Sequence, residues 1–362
     1  MPWSKAARAV TLGVALAAGA SVAAHAAGTP SPAPKASATP AVSEEDQAAR
    51  LLRASLRAPE SISYVGQLQT IRFSTNKAVA TIVRVEHLAP DRTRKWYMAP
   101  EAVYGDYTIT RGITTYQVDI KHGKVFTSRN PSIENQVAAS GSFGLVTKNY
   151  RPVLGDEETI AGHPTMSVLL INKYTGERAV RVWIDPRTAL VLKKEQYRSN
   201  GAVAAQSRFE ELRYTSAIPQ DIFSTSVPAG YSKVAGRDYA SPSTDLDRVR
   251  KDAGFAPVVP KYLPEGFSLT SGDVATVDGV KELHFFYSDG LRMLSLFENA
   301  TGAAADFKKL KPQTIQFEGH DAQYVEDGPT TLLVWHEHGL YFALVGDLGL
   351  HDLVDIATSV VP

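Results

Sequence analysis

The chain has 362 residues, of which 44% are apolar and 9% aromatic, enough to fill two ordinary globular cores. Its 38 basic side chains balance 38 acidic ones, and that balance argues against a nucleic-acid partner held by phosphate contacts. The lack of cysteine excludes disulfides, thiolate metal sites, thiol catalysis and a lipid-modified N-terminal cysteine.

The first 26 residues have the pattern of a cleavable signal peptide. Lys5 and Arg8 precede an apolar run from Ala9 to about Ala24, and Ala24-His25-Ala26 provides a small-x-small cleavage site. The run is too short and too rich in alanine for a typical membrane span, which needs about 20 strongly apolar residues. An uncleaved anchor is the alternative. Because the signal peptide pattern is present and the chain has no cysteine to carry a lipid, we expect an exported protein that is not lipidated.

Residues 27–42 consist mainly of proline, alanine and serine. Such a segment buries too little apolar surface to offset the entropy of ordering it, so we predict a flexible tether. The folded part is expected to begin at Ser43, because Ser43 and Asp46 resemble a capping box and apolar residues recur after them at helical spacing. The helix should end before Pro59.

After Pro59 the hydrophobic period becomes that of β-strands, in which alternate side chains face the core. Residues 133–145 have the spacing of a short helix, and a loop is expected at 149–152. The strands predicted for this first unit lie at 62–73, 78–88, 93–97, 107–111, 114–119, 124–128, 158–160, 165–174, 180–184, 190–197 and 202–214.

The last three of these strands form the clearest pattern in the chain. Asp185-Pro186 is a turn signal, because proline fixes φ and the aspartate can accept a hydrogen bond from the backbone just ahead. Asn200-Gly201 is the strongest short hairpin signal. Residues 178–223 are therefore predicted to form an antiparallel meander.

A helix followed by about ten sequential antiparallel strands can curl into an incomplete barrel with the helix across its open side. We thus predict an α+β fold that is mostly antiparallel β. Its interior would suit an acyl chain or a peptide. The same side chains could equally form a filled core, because alternation does not reveal whether the interior is empty. The candidate lipid-cavity residues are Tyr64, Leu68, Ile82, Val85 and Tyr97.

A second, smaller unit follows. Residues 224–239 predict a crossing strand and then a linker. We expect a first domain at 43–228, a linker at 229–241 and an α+β domain at 242–362, with helices at 245–253 and 348–360. The strands predicted for the second domain lie at 269–274, 282–288, 292–299, 313–317, 320–326, 331–336 and 340–346.

Each of the two units contains its own set of short motifs. They are Tyr64-Val65-Gly66, Val85-Glu86-His87-Leu88, Arg92 to Arg94 and Trp183-Ile184-Asp185 in the first, and Tyr262 to Phe267, Tyr287 to Leu291 and Ser295-Leu296-Phe297 in the second. In these motifs the chain resembles the MucB/RseB family of extracytoplasmic regulators, whose N-terminal domain is similar to the lipoprotein carriers LolA and LolB. In residues 260–267 and 339–356 it also resembles a small domain of other envelope-regulatory proteins.

The resemblance implies a periplasmic, non-enzymatic regulator of sigma-E activity with a LolA/LolB-like open half-barrel. Such a protein binds the outer domain of a membrane anti-sigma factor, shields it from regulated proteolysis and releases it in response to lipid or lipopolysaccharide during envelope stress. Whether the chain forms a homo-oligomer is not determined by the sequence. The first unit alone would fit a carrier of lipid or lipoprotein, and an uncharacterised hydrolase is a third hypothesis.

The sequence contains no G-x-S-x-G elbow, no H-E-x-x-H motif and no phosphate-binding glycine loop, so we expect neither an enzyme nor a cofactor. His336 and His338 could begin a metal site, but a solvated pair is favoured because no third ligand follows at local spacing. Lys308, Lys309 and Lys311 could touch anionic lipid, although a solvated loop is favoured.

Overall fold

A computed structural model describes residues 43–74, 77–112, 114–129, 142–235, 243–277, 280–300 and 311–360. The predicted signal peptide at 1–26 and tether at 27–42 lie outside the described residues, and so do Lys308 and Lys309. Within these ranges, no helix has the length and apolar character needed to cross a membrane.

The first unit is built on one sheet of twelve strands in the order β12-β6-β5-β4-β3-β2-β1-β11-β10-β9-β8-β7. All neighbours are antiparallel except β12, which runs parallel to β6. The strands are β1 Tyr64–Ser74, β2 Lys77–Leu88, β3 Arg92–Ala99, β4 Tyr107–Arg111, β5 Thr114–Asp119, β6 Lys124–Arg129, β7 Tyr150–Ile160, β8 His163–Asn172, β9 Arg178–Ile184, β10 Val191–Tyr197, β11 Val203–Tyr214 and β12 Ser232–Ala235.

This sheet is strongly curved but not closed. Glu158 on the edge strand β7 pairs with Arg208 on β11 at 2.6 Å, although three strands separate β7 from β11 in the sheet order. Strands β7 and β12 remain its two edges. The predicted open, mostly antiparallel half-barrel is therefore confirmed.

Within the described residues, three α-helices accompany the first sheet: α1 Glu44–Ser55, α2 Ala58–Ser61 and α3 Ser142–Asn149. The predicted cap of α1 is present, because the Asp46 amide donates to Ser43 Oγ at 3.1 Å. Helix α1 lies against strands β7 and β9 and buries Ala48 and Leu52 there, which stabilises it because a short helix depends on packing of its apolar face.

The predicted turns of the meander are also present. The Arg187 amide donates to Asp185 Oδ1 at 2.8 Å, and the Tyr214 hydroxyl donates to Asp185 Oδ2 at 2.7 Å. Gly201 has φ +79°, a conformation that glycine adopts without strain, and the Ala202 amide bonds Asn200 Oδ1. The loop predicted at 149–152 is wrong, because α3 runs to Asn149 and β7 starts at Tyr150.

The second sheet has seven antiparallel strands in the order β13-β14-β15-β19-β18-β17-β16. Helices α4 Leu246–Ala253 and α5 Leu350–Ser359 pack on one core that includes Phe285, Trp335 and Phe342. The strands are β13 Ser268–Val277, β14 Val280–Ser288, β15 Met293–Asn299, β16 Gln313–Phe317, β17 His320–Asp327, β18 Thr330–Glu337 and β19 Leu340–Gly346.

Candidate functional site

Four of the five predicted cavity residues come together. Tyr64, Leu68, Val85 and Tyr97 are buried and belong to one cluster, which α2 contacts through Ala58. The register explains the grouping, because residues paired across antiparallel strands share a face: Leu68 pairs with Val83, and Val83 with Tyr97. In the structure these side chains contact one another and Phe209, as in a packed core.

Ile82 lies apart from these four. It precedes Val83 in β2, so it points to the other face of the sheet, and it is only partly buried. The predicted set mixed the two faces, because positions 82 and 85 differ by an odd number of residues along one strand.

His87 connects this cluster to the helices. Its Nε2 lies 2.7 Å from the Pro59 carbonyl oxygen, and its Nδ1 lies 2.8 Å from the Thr93 hydroxyl. A carbonyl only accepts, so Nε2 carries the proton and the neutral ring accepts from Thr93 at Nδ1. Burial lowers the pKa of His87, which favours this neutral form. The imidazole thus fastens α2 to β2.

The face opposite the cluster carries a shallow groove of about 340 Å³ on β2 and β3. We call it the β2–β3 groove. Five of its six lining residues lie on these two strands, where Arg84 and Glu86 alternate with the cluster residues Val83 and Val85. The lining residues are Arg84, Glu86, Arg94, Trp96, Met98 and Tyr104.

The floor of the groove is a carboxylate between two guanidinium groups. Glu86 is buried and accepts from Arg84 Nε at 2.9 Å and from Arg94 Nη1 at 3.4 Å. The Arg94 guanidinium also lies 5.1 Å from the Trp96 ring and 5.3 Å from the Tyr107 ring, which are stacked on each other. These cation–π contacts fix Arg94 in place. The lining has a net positive charge, because two guanidinium groups face one carboxylate.

Large apolar side chains form the rim of the groove. Tyr104 is 68% exposed, Met98 is 42% exposed, and Ile120 lies beside Gly105, the neighbour of Tyr104. Together they account for three of the seven large hydrophobic side chains exposed in the described ranges. Isolated exposed apolar residues are ordinary, but a group of them beside a cationic floor makes the β2–β3 groove a candidate binding surface.

A second polar arrangement joins the two units at α3. The Asn149 side chain donates to the Gly266 and Asp289 carbonyls at 3.0 and 2.9 Å, and the Tyr150 hydroxyl donates to Asp289 Oδ2 at 2.5 Å. Arg292 Nε bonds the same carboxylate at 2.9 Å. Burial, together with the Asp289 charge, raises the pKa of Tyr150, so the phenol stays a donor.

Another contact joins the units at the end of β1. Arg72 pairs with Asp327 at 3.4 Å, and Arg198 Nη2 donates to the carbonyl oxygens of Phe73 and Gly328. The β17–β18 turn is therefore held against the first sheet. The two units are joined by directional hydrogen bonds as well as by the chain itself.

His336 and His338, the pair considered as a metal site, do not face one common point. His336 contacts the Tyr341 ring, whereas His338 occupies a turn with φ +49° and is largely exposed near Glu337. Among the described residues, no group of three histidine, aspartate or glutamate side chains has the geometry of a metal site.

Sequence comparisons match each unit to a different family. Residues 109–227 match the MucB/RseB N-terminal domain, and residues 257–360 match a domain of unknown function, DUF4367. The resemblance to the MucB/RseB family seen in the sequence motifs is thereby confirmed for the first unit. A protein of Methanocaldococcus jannaschii described as uncharacterized is 24% identical over 214 residues. That match covers 57% of this chain and 60% of the relative, so the chain spans less than two thirds of it.

Solved structures of MucB share the fold. The Pseudomonas aeruginosa MucA/MucB complex matches with a TM-score of 0.58 and 16% identity, covering 87% of this chain and 99% of the matched chain. A crystal structure of MucB in complex with MucA(peri) matches with a TM-score of 0.55 and 16% identity, covering 87% and 98%. Both units are included in these matches.

Proposed function

We propose that this chain, whose first unit matches the MucB/RseB N-terminal domain and whose two units together have the fold of MucB, is a non-enzymatic periplasmic regulator. It binds the outer domain of a membrane anti-sigma factor. The observation that carries this proposal is that the likeness to MucB, which is solved in complex with MucA, spans 87% of the chain rather than one domain. A lipid carrier would need only the first unit.

The hydrogen bonds between the units fit a binding role. Asn149 and Tyr150 of the first unit form buried hydrogen bonds to Asp289 of the second. Such bonds are satisfied in only one relative arrangement of the two units. A surface formed by both units is then set before the partner arrives, so association costs less conformational entropy.

The proposed consequence of binding is protection of the anti-sigma factor from regulated proteolysis. A protease must accommodate an extended segment of its substrate, so a tightly bound protein lowers the cleavage rate in proportion to the free fraction. The test mixes residues 27–362 with the outer domain of each membrane anti-sigma factor encoded in the same genome and follows cleavage by a non-specific protease. We expect one outer domain to be protected at 1:1 stoichiometry. Equal cleavage with and without this chain, for every outer domain, would refute the proposal.

Release by lipid is the second part of the proposal. A lipid shifts the equilibrium only if it binds the partner-free state more tightly than the bound state. Tyr64, Leu68, Val85 and Tyr97 are the proposed acyl contacts, and α2, held by His87, is the element that would have to move to admit a chain. Adding lipopolysaccharide to the complex should release the outer domain. Retention of acyl cargo by a chain that binds no outer domain would instead favour a lipid or lipoprotein carrier.

A further inference from the structure

We propose that the β2–β3 groove receives a short segment of the protein partner in which a carboxylate side chain lies next to an aromatic or aliphatic one. This inference rests on the proposed function. It specifies where on the first unit the partner binds and which side chains recognise it. It concerns the face of β2 and β3 opposite to the buried cluster that contains Tyr64, Leu68, Val85 and Tyr97.

The positive end of the groove argues for a carboxylate. Two guanidinium groups face one carboxylate, Glu86, so one positive charge is uncompensated within the lining. Arg84 is 59% exposed and can turn toward an incoming anion, whereas Arg94 is held between Glu86 and the two rings. Arg94 makes a single hydrogen bond to Glu86 although a guanidinium carries five N–H donors. A planar carboxylate can accept from such a pair of guanidinium groups.

The apolar end argues for an adjacent aromatic or aliphatic side chain. Met98 and Tyr104 are exposed at the rim, and Trp96 lies at the base. Tryptophan, tyrosine, methionine and arginine are the residues enriched at protein–protein interfaces, where a few of them supply most of the binding energy. A volume of about 340 Å³ suits one or two side chains rather than a folded domain.

A protein segment fits this groove better than a membrane surface does. Binding to an anionic bilayer uses clusters of several basic residues, each contributing about 1 kcal/mol near the surface. The lining has one well-exposed cation, Arg84, and lacks the cluster of several basic residues that a bilayer surface calls for. The binding energy must then come mainly from the aromatic and thioether rim.

The test measures the affinity of residues 27–362 for the partner's outer domain by titration calorimetry. Arg84→Ala and Tyr104→Ser are expected to weaken binding about tenfold each, the loss of one good interface contact. Arg248→Ala and Tyr262→Ser are matched controls, because these side chains are also exposed but lie in the second unit away from the groove. Arg84→Ala should also flatten the dependence of affinity on salt, which a purely structural effect would not do.

The outcomes separate this inference from the proposed function. If the unmodified chain binds no outer domain, the proposed function fails and this inference fails with it. If the chain binds and all four variants keep its affinity, only the groove assignment is overturned. If Arg84→Ala instead weakens binding to phosphatidylglycerol vesicles and leaves the outer domain unaffected, the groove is a lipid headgroup site and the inference is wrong.

Discussion

Tyr150 donates a hydrogen bond to Asp289, and both side chains are almost completely buried although 139 residues separate them in sequence. The pair joins the first residue of β7 to the β14–β15 turn, so it holds one sheet against the other. The first prediction follows from it.

Replacing Tyr150 with phenylalanine should destabilise the protein by about 2 kcal/mol, because a hydrogen bond to a buried carboxylate is lost while Arg292 keeps its own. Urea unfolding followed by circular dichroism measures this change. Tyr262→Phe is the control, since that ring is 47% exposed. Equal unfolding midpoints for the two variants would contradict the role given to Tyr150.

A second prediction tests the same junction through backbone geometry. Gly290 and Gly319 both have positive φ, +94° and +81°, so alanine is strained at either position. A Cβ at 290 would also lie 2.6 Å from the Val146 nitrogen across the junction, whereas a Cβ at 319 meets nothing within 4 Å. Gly290→Ala should therefore cost about 2–3 kcal/mol more than Gly319→Ala. Similar thermal midpoints for the two variants would show that the units are not in contact there.

The third prediction concerns the filling of the first core. Leu68→Ala should cost about 2–4 kcal/mol, because a buried side chain is removed and a cavity remains. Ile82→Ala should cost about 1 kcal/mol or less, because Ile82 is only partly buried on the other face. Chemical denaturation of the two variants compares them directly. A small loss for Leu68→Ala would mean that the cluster encloses empty space, as a resident lipid site requires.

The fourth prediction is a pH dependence in the second unit. Glu298 is fully buried, and its one hydrogen bond among the described residues is from the Val258 amide at 3.0 Å. Burial raises its pKa from 4.5 to about 8 against the lowering effect of that bond. Between these values the folded state holds a proton that the unfolded state has lost, so stability is full below pH 4.5 and falls as pH rises toward 8.

The slope contributed by Glu298 should approach ~1.4 kcal/mol per pH unit. Glu298→Gln stays neutral and can still accept from Val258, so it should remove this part of the pH dependence. Unfolding free energies measured from pH 5 to pH 8 provide the comparison. If the wild-type chain and Glu298→Gln lose stability in parallel over that range, Glu298 is ionised in the folded state.

The strands were predictable because the alternation is local. Long runs such as Val203–Tyr214 show one buried face over several residues, and the signals at Asp185 and Asn200-Gly201 bond their own neighbouring backbone. Both the open sheet and the terminal helix that buries Leu353 and Ile356 followed from such patterns.

The start of β7 could not be predicted, because it is determined by residues distant in the sequence. Asn149 and Tyr150 are fixed by Gly266, Asp289 and Arg292, which lie more than a hundred residues away in the sequence. Local propensity carries no information about such partners.

The β2–β3 groove was missed because it depends on a register shift. The ladder between β2 and β3 changes register between Ile82 and Val83, and this shift sets which β3 residues lie beside Arg84 and Glu86. Each lining residue, taken singly, is also of a type that is common on the surface of a sheet. The alternation of side chains along β2 was the one available signal, because it places Arg84 and Glu86 on the face opposite to Val83 and Val85.

The central claim is that residues 27–362 bind the outer domain of a membrane anti-sigma factor, and calorimetric titration of that domain into the chain tests it most directly. We expect a 1:1 complex with a Kd of about 1 μM or tighter, as for a specific interface of standard size. No measurable heat of binding with any anti-sigma outer domain of the same genome, from a chain shown to be folded, would contradict the account.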